Sequence, residues 1–521
     1  MAGQQFDYVV VGAGSAGCVL ANRLSADPDR RVALLEAGGP DRSMNIRIPA
    51  AFTKLFTTPY DWSYRTGKQA ELSDRELYWP RGRMLGGSSS MNAQMWVRGH
   101  RADYDGWGPG WTYDEVLPYF HRAERRAGSN TGGVYGTDGP LWISELRDQH
   151  PGTAAFLRAC AELGLTRLAE LNGPDHTGYA PTPVTQRRGR RWSAADGYLR
   201  PAMRRPNLTV LTHASARRVV LSGDGRATGV EYRDATGATR VVGATREVVL
   251  SAGAVNSPHL LMLSGIGDPE HLRAAGVEVR REVPGVGANL QDHLAIAATV
   301  SCPLPVTMVA AETPGQLVRY LIRRKGMLTS NVAEAVAFLR TDPAAPAPDV
   351  ELIWAPVPFI DHGLTKPPGH GVTIGVVLLQ PRSRGRVTLA GADPDEPPVI
   401  DPGYLTAPGD LAPLVAGLRT AERLLATEAL RPYVGEPMDP WPGSVSDAEL
   451  AQLVRDRSET LYHPVGTCAM GTVVDDHLRV HGVPGLRVVD ASVMPRIIRG
   501  HTHAPTVMIA ERAADLLRAD A

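Results

Sequence analysis

A chain of 521 residues with 55 basic and 55 acidic side chains is too long for one ordinary hydrophobic core, and it has no net charge to draw it to nucleic acid. Two closely packed domains and a small, neutral or weakly charged substrate are therefore expected. The 43% apolar and 21% charged residues are those of a soluble globular chain without a disordered tail.

Cys18, Cys160, Cys302 and Cys468 form neither a CxxC pair nor a ligand cluster. Free thiols, a reducing cytoplasm and no metal are the reading. The chain enters an apolar run at Phe6 with no room for a signal core, and no later stretch has the length of a membrane span. Peripheral membrane attachment stays open, because an electron acceptor could lie there. Lysine occurs only at Lys54, Lys68, Lys325 and Lys366, which reads as a genomic preference for arginine.

In chain order, residues 6–11 form a β-branched run ending at glycines. Residues 15–25 keep small and apolar residues at helical spacing, and residues 31–36 return to a buried-strand pattern. This predicts a βαβ unit. Residues 246–250 predict a strand running into Ser251-Ala-Gly-Ala254, 486–489 another strand, and 505–517 a terminal helix. Between these pieces, 150–205 and 300–455 carry Pro-rich loops and apolar runs at 350–353 and 370–379, as in an antiparallel sheet flanked by helices. The expected fold class is α/β, or α+β overall. A discontinuous Rossmann-like cofactor domain (1–150, 206–300 and 456–521) would pack on a substrate domain (151–205 and 301–455).

Gly12, Gly14 and Gly17 stand between the first strand and helix, with Glu36 ending the next strand. The first glycine permits the tight turn, the second lets a pyrophosphate approach the helix N-terminus, and the third lets helix and strand touch. Glu36 would accept hydrogen bonds from a ribose. The fingerprint predicts a dinucleotide but does not separate FAD from NAD.

Five ordered segments then make the chain resemble the glucose-methanol-choline (GMC) oxidoreductases from end to end. They are Gly82–Asn92 (GRMLGGSSSMN), Gly253–Gly267 (GAVNSPHLLMLSGIG), Tyr462–Cys468 (YHPVGTC), Val489–Pro495 (VDASVMP) and the terminal helix. In overall pattern the chain is most similar to bacterial choline and aliphatic-alcohol dehydrogenases. The resemblance implies an FAD-dependent enzyme that oxidises an alcohol to an aldehyde or ketone by hydride transfer to flavin. Reduced flavin would then be reoxidised by oxygen, a quinone or another carrier.

The resemblance also implies residue roles. The loop holding Gly87 and Ser88 would lie beside the flavin, with Asn92 as a polar contact. Asp490 and Ala491 would lie near the pyrophosphate and Trp62 near the adenine, while Ser15, Ala37 and Ala216 are assigned to the same cofactor. Relatives that bind FAD covalently through this loop carry His where this chain has Met91, so non-covalent FAD is expected. Pro505 suits the first position of the terminal helix, and with Thr506 it would turn backbone amides toward the flavin pyrimidine.

Removal of hydride from an alcohol needs a base for the hydroxyl proton, and imidazole supplies one near neutral pH. His463 falls at the family's histidine position and His501 at its Asn-or-His position, with Tyr462 and His503 beside them as substrate contacts. Glu334 aligns with a cavity-facing glutamate of choline-acting relatives. The alternative is an FAD-containing lyase of the same fold with no net redox. The light-driven decarboxylase branch is disfavoured, since Ala333 stands where it has a cysteine.

Overall fold

The computed structural model describes residues 5–520. The β-branched run Gln5–Val11, the helix Ser15–Leu24 and the strand Val32–Glu36 build the expected βαβ unit, all three largely buried. Their sheet has the strand order 208–212, 32–36, 5–11, 239–250, 227–233, 215–221. The long strand Thr239–Leu250 pairs in parallel with Gln5–Val11 through its last residues and antiparallel with Ala227–Arg233 through its first. Leu486–Val488 joins its other edge in parallel. Segments hundreds of residues apart thus close one sheet, because each is too short and too apolar to stand alone.

A second sheet is wholly antiparallel, in the order 459–460, 294–301, 371–378, 350–355, 335–339, 178–181. Two boundaries of the predicted division therefore move. The strand Leu294–Ser301, expected with the cofactor unit, belongs to the second sheet, and so does Glu459–Thr460. In the other direction, the turn Ala195–Leu199 packs on the first helix.

The two-residue period of a strand sorts side chains between the faces of this sheet. The helices Pro151–Glu162 and Leu411–Leu425 cover one face, where Leu352, Trp354, Ile374 and Val376 are buried. Ala295, Ala297, Ile353, Ala355, Thr373 and Val377 line a cavity on the other.

The terminal helix runs over His503–Ala519, two residues longer at its start than expected. Pro505 is therefore its third residue, where a missing N–H still costs nothing because the first turn has no intrahelical acceptor for it. The helix packs on Ser15–Leu24. Its fully buried Glu511 is compensated by Arg23 at 2.7 Å, Arg122 at 3.0 Å and the Tyr198 hydroxyl at 2.7 Å.

A comparable buried cluster joins Glu124 to Arg98 and to Trp96 Nε1, which donates at 2.7 Å. Glu124→Ala would leave the Arg98 guanidinium buried without its partner and should cost about 3–5 kcal/mol. Asp114→Ala, which removes an exposed partner of Arg101, should leave the thermal unfolding midpoint unchanged. Equal midpoints for the two variants would show that the buried pair carries no such weight.

Candidate functional site

A cavity of about 1090 Å3 runs between the two sheets, from Glu36 to the second sheet. The dinucleotide turn forms one end. Gly12 has φ +97°, and a Cβ there would lie 2.5 Å from the Ser251 carbonyl oxygen. Gly17 is pressed against the Gly12 carbonyl, 1.8 Å from where its own Cβ would stand, so it shapes the turn without lining the cavity. Gly14 lines the cavity, and a Cβ there would meet no protein atom within 4 Å. A side chain at Gly14 would project into open space at a helix N-terminus, the geometry of a phosphate cradle.

Glu36 receives the amides of Ala13 at 2.9 Å and Gly38 at 2.8 Å, and burial pushes its carboxyl up to about 7. Gly87 lies against this turn, 2.7 Å from Gly14 Cα to the place of its own Cβ. Ser15, Ala37, Trp62, Ser88, Asn92, Ala216, Ala491 and Thr506 also line the cavity. Trp62 is stacked with Tyr64 at 5.7 Å, and the Arg83 guanidinium lies over its ring at 4.7 Å.

Among the lining polar atoms, Ser251 Oγ and His503 Nε2 are buried without a protein hydrogen-bond partner. Orphans of this kind are costly unless a ligand satisfies them. His503 Nδ1 lies 3.0 Å from Ser15 Oγ, so the starts of the first and last helices converge on the same stretch of cavity. The open cradle at Gly14, the acid at Glu36 and these orphans fit an extended dinucleotide.

Of four further predicted residues, Pro505 and Glu334 lie off the cavity, while Thr506 and Asp490 line it with their polar atoms engaged by the protein. Pro505 does not line the cavity, and Thr506 Oγ1 is spent on the Thr502 carbonyl at 2.6 Å. Asp490 accepts from Gly253 N, Ser257 Oγ, Ser492 N and Ser492 Oγ, so it fastens the Gly253 helix to the 489–495 loop.

Glu334 departs furthest from expectation. It is 1% exposed and turned toward the helix side, where it accepts from His150 N at 2.8 Å and Thr153 Oγ1 at 2.6 Å. There it caps the N-terminus of Pro151–Glu162. Its other oxygen receives Ser330 Oγ, which in turn accepts from Val332 N. Val332 sits at φ +73° on the cavity wall, a strained backbone for a β-branched residue. Glu334 thus shapes the wall from behind.

His463 and His501 meet within the cavity, their rings perpendicular at 4.8 Å between centroids. Each is backed by a residue that sequence reading missed. His293 Nε2 lies 3.1 Å from the Leu379 carbonyl, which can only accept, so a neutral His293 carries its proton there and presents a bare Nδ1. That atom is 2.9 Å from His463 Nδ1. His463 therefore donates through Nδ1 and keeps Nε2 as its lone-pair nitrogen. Burial pushes His293 down to about 3 and His463 well below the ordinary imidazole value, so both are neutral near pH 7.

His501 Nε2 faces Glu351 Oε1 at 3.0 Å, and that carboxylate is fully buried with Oε2 unpartnered. Asp292 completes the frame, receiving His463 N at 2.7 Å, Thr460 Oγ1 at 2.6 Å and the Tyr404 hydroxyl. Tyr462 lines the cavity at φ +68°, its hydroxyl 2.7 Å from His362 Nδ1. His293 and Glu351 share the strand parity of Ala295 and Ile353, so the second sheet holds the imidazoles that the C-terminal segments carry. Glu351 had a signal: a carboxylate amid the apolar run 350–353. His293 had none beyond its residue type.

Two family models match the chain, both described as GMC oxidoreductase, over residues 6–295 and 381–510. The chain belongs to the GMC oxidoreductase family. Among its relatives are a GMC-type oxidoreductase of Mycobacterium tuberculosis, 53% identical over 99% of both chains, and the alcohol dehydrogenase [acceptor] of Pseudomonas putida, 40% identical over 98% of this chain and 95% of that one. Among solved structures, a pyridoxine 4-oxidase superposes with a TM-score of 0.89 at 35% identity, covering 98% of each chain. This GMC oxidoreductase is an FAD-dependent enzyme, and FAD modification is itself the subject of a formate oxidase structure of the same fold. Among the described residues, no cluster of three or more His, Cys, Asp or Glu could hold a metal ion, and no helix is long and apolar enough to cross a membrane.

Gly14→Val should abolish FAD loading, because its side chain would fill the open cradle. The purified variant is expected to lack the flavin absorbance, and full occupancy would show the cradle to be misread.

Proposed function

We propose that this enzyme oxidises the carbinol carbon of a small, largely apolar alcohol to an aldehyde or ketone, with FAD held non-covalently. The observation that carries the reading is the chain of contacts from the Leu379 carbonyl through His293 to His463 Nδ1, which supports a bare Nε2 on a ring lining the cavity 4.8 Å from His501. His463 Nε2 takes the hydroxyl proton. His501, oriented by Glu351, hydrogen-bonds the substrate oxygen and stabilises the negative charge that develops as the proton leaves. Bound FAD supplies the acceptor for the hydride.

The cavity beside the histidines is lined by Phe52, Phe56, Met95, Val332, Ile353 and Phe359. With Glu334 turned away, no carboxylate at that position faces a cationic substrate, which favours an uncharged alcohol over choline. Gly12, Gly14, Ser15, Glu36, Ala37, Trp62, Ala216 and Ala491 would hold the dinucleotide, and Gly87, Ser88, Asn92, His503 and Thr506 its flavin half. Met91, buried on the cavity wall, offers no imidazole for a covalent link, so acid precipitation should release all the yellow chromophore to the supernatant. Four buried free thiols support a reducing, cytoplasmic setting. Oxygen, a quinone or another carrier would serve as electron acceptor.

The test is anaerobic stopped-flow reduction of FAD-loaded protein by an alcohol series. His463→Ala should slow reduction by about 10²- to 10⁴-fold with FAD retained. His501→Ala should do less damage, and His501→Asn least, since an amide still hydrogen-bonds the oxygen. Parent-like reduction of the His463→Ala protein would reject the mechanism. A flavin that no alcohol bleaches would favour the lyase reading.

The pH profile follows from the depressed His463 imidazole. A base acts only when unprotonated, so activity is lost as pH falls through its folded value. With that value lowered by burial, reduction should stay flat from pH 8 to about 6.5 and fall only below it. An acid limb centred at or above pH 7 would contradict the assignment.

A further inference from the structure

The helix Pro314–Arg323 is almost bare, with Tyr320 its one buried residue. Leu317, Val318, Leu321 and Ile322 are 40%, 54%, 44% and 76% exposed, and at helical spacing these four share one face. The opposite face holds the helix to the protein, for Tyr320 packs with Ile48, Ala51 and Leu328 and its hydroxyl donates to the Arg47 carbonyl at 3.1 Å.

The charge around the bare face is mainly positive. The helix contains no acidic residue; Arg319 and Arg323 border the apolar face, and Arg324 and Lys325 follow it. Lys54 pairs with Glu312 at 2.8 Å just ahead of the helix, and Lys366 lies within electrostatic reach of that carboxylate. Three of the four lysines of the chain thus gather here, which a uniform preference for arginine would not produce. Asp148 is the acid near Arg319, at 3.7 Å.

We propose that this helix docks the protein on the surface of an anionic lipid bilayer. Its four apolar side chains enter the boundary between headgroups and acyl chains, and the arginines and lysines meet the phosphates. A second copy is the poorer occupant, because two-fold pairing through this face would set Arg319, Arg323 and Lys325 against their own kind. The buried side of the helix is tied to the cavity wall: Ala51, packed with Tyr320, is followed by Phe52, which lines the cavity. A membrane-dissolved alcohol or acceptor would then have a short path to the site. That consequence rests on the proposed function, but the docking does not.

Co-sedimentation of the FAD-loaded, full-length protein with phosphatidylcholine vesicles, with and without phosphatidylglycerol, tests the proposal. Binding should require the anionic lipid, weaken in high salt, and fall by about tenfold or more in a Val318→Asp/Ile322→Asp variant and in an Arg319→Glu/Arg323→Glu variant. All four positions are exposed and outside the site, so flavin content and turnover of a water-soluble alcohol should match the parent and report an intact fold. Absence of vesicle binding, or binding that survives both variants, would overturn the proposal whatever the enzyme's activity. A dimer seen by light scattering that Val318→Asp/Ile322→Asp dissociates, without vesicle binding, would assign the face to a second copy and equally overturn it.

Discussion

The contact between the Nδ1 atoms of His293 and His463 is the constraint on which the site depends. Two facing ring nitrogens hydrogen-bond only if exactly one carries a proton, and the Leu379 carbonyl decides which. The decision passes through His293 to His463 and leaves Nε2 bare. Burial keeps both rings neutral, since an imidazolium in that place would lack water. The bare nitrogen is thus chosen by a main-chain carbonyl at the end of a β-strand, two side chains away.

This dependence explains why two sheets are needed. The C-terminal segments carry His463 and His501, but the antiparallel sheet supplies His293 and Glu351 from the face that also lines the cavity. The dinucleotide turn and the Gly87 loop interlock at the other end, where any side chain at position 87 would strike Gly14. Dinucleotide turn and cavity imidazoles are therefore held in one frame by packing between the halves.

Buried charge in the molecule falls into two kinds. Glu124, Glu511 and Glu334 have their oxygens satisfied by arginines, hydroxyls or amides, and they fasten elements together. Glu351 keeps one oxygen without a partner beside the one histidine it orients. An under-satisfied buried carboxylate is expensive, and its place behind a cavity imidazole is where such a cost has a chemical return.

The βαβ unit, its fingerprint and the terminal helix were legible because each is local: strand and helix periods, glycine spacing and a closing acid lie within a few dozen residues. The end-to-end family resemblance rested likewise on contiguous motifs, and it brought His463 and His501 to notice. Contacts across the fold were beyond that reading. Glu334 was expected at the cavity because it aligns with a cavity-facing glutamate of choline-acting relatives, yet its carboxylate bonds His150 N and Thr153 Oγ1 at a helix N-terminus instead. Pro505 was taken for the first residue of its helix because proline favours that place, although any position in the first turn tolerates it. Neither the pairing of His293 with His463 across 170 residues nor that of Glu351 with His501 across 150 leaves a trace in one sequence. Hydrogen-bond partners are set by strand register and sheet docking, which periodicity does not encode. The sequence determined which side chains were available; the tertiary structure decided which imidazole nitrogen is left bare, because tautomer and burial are properties of neighbours.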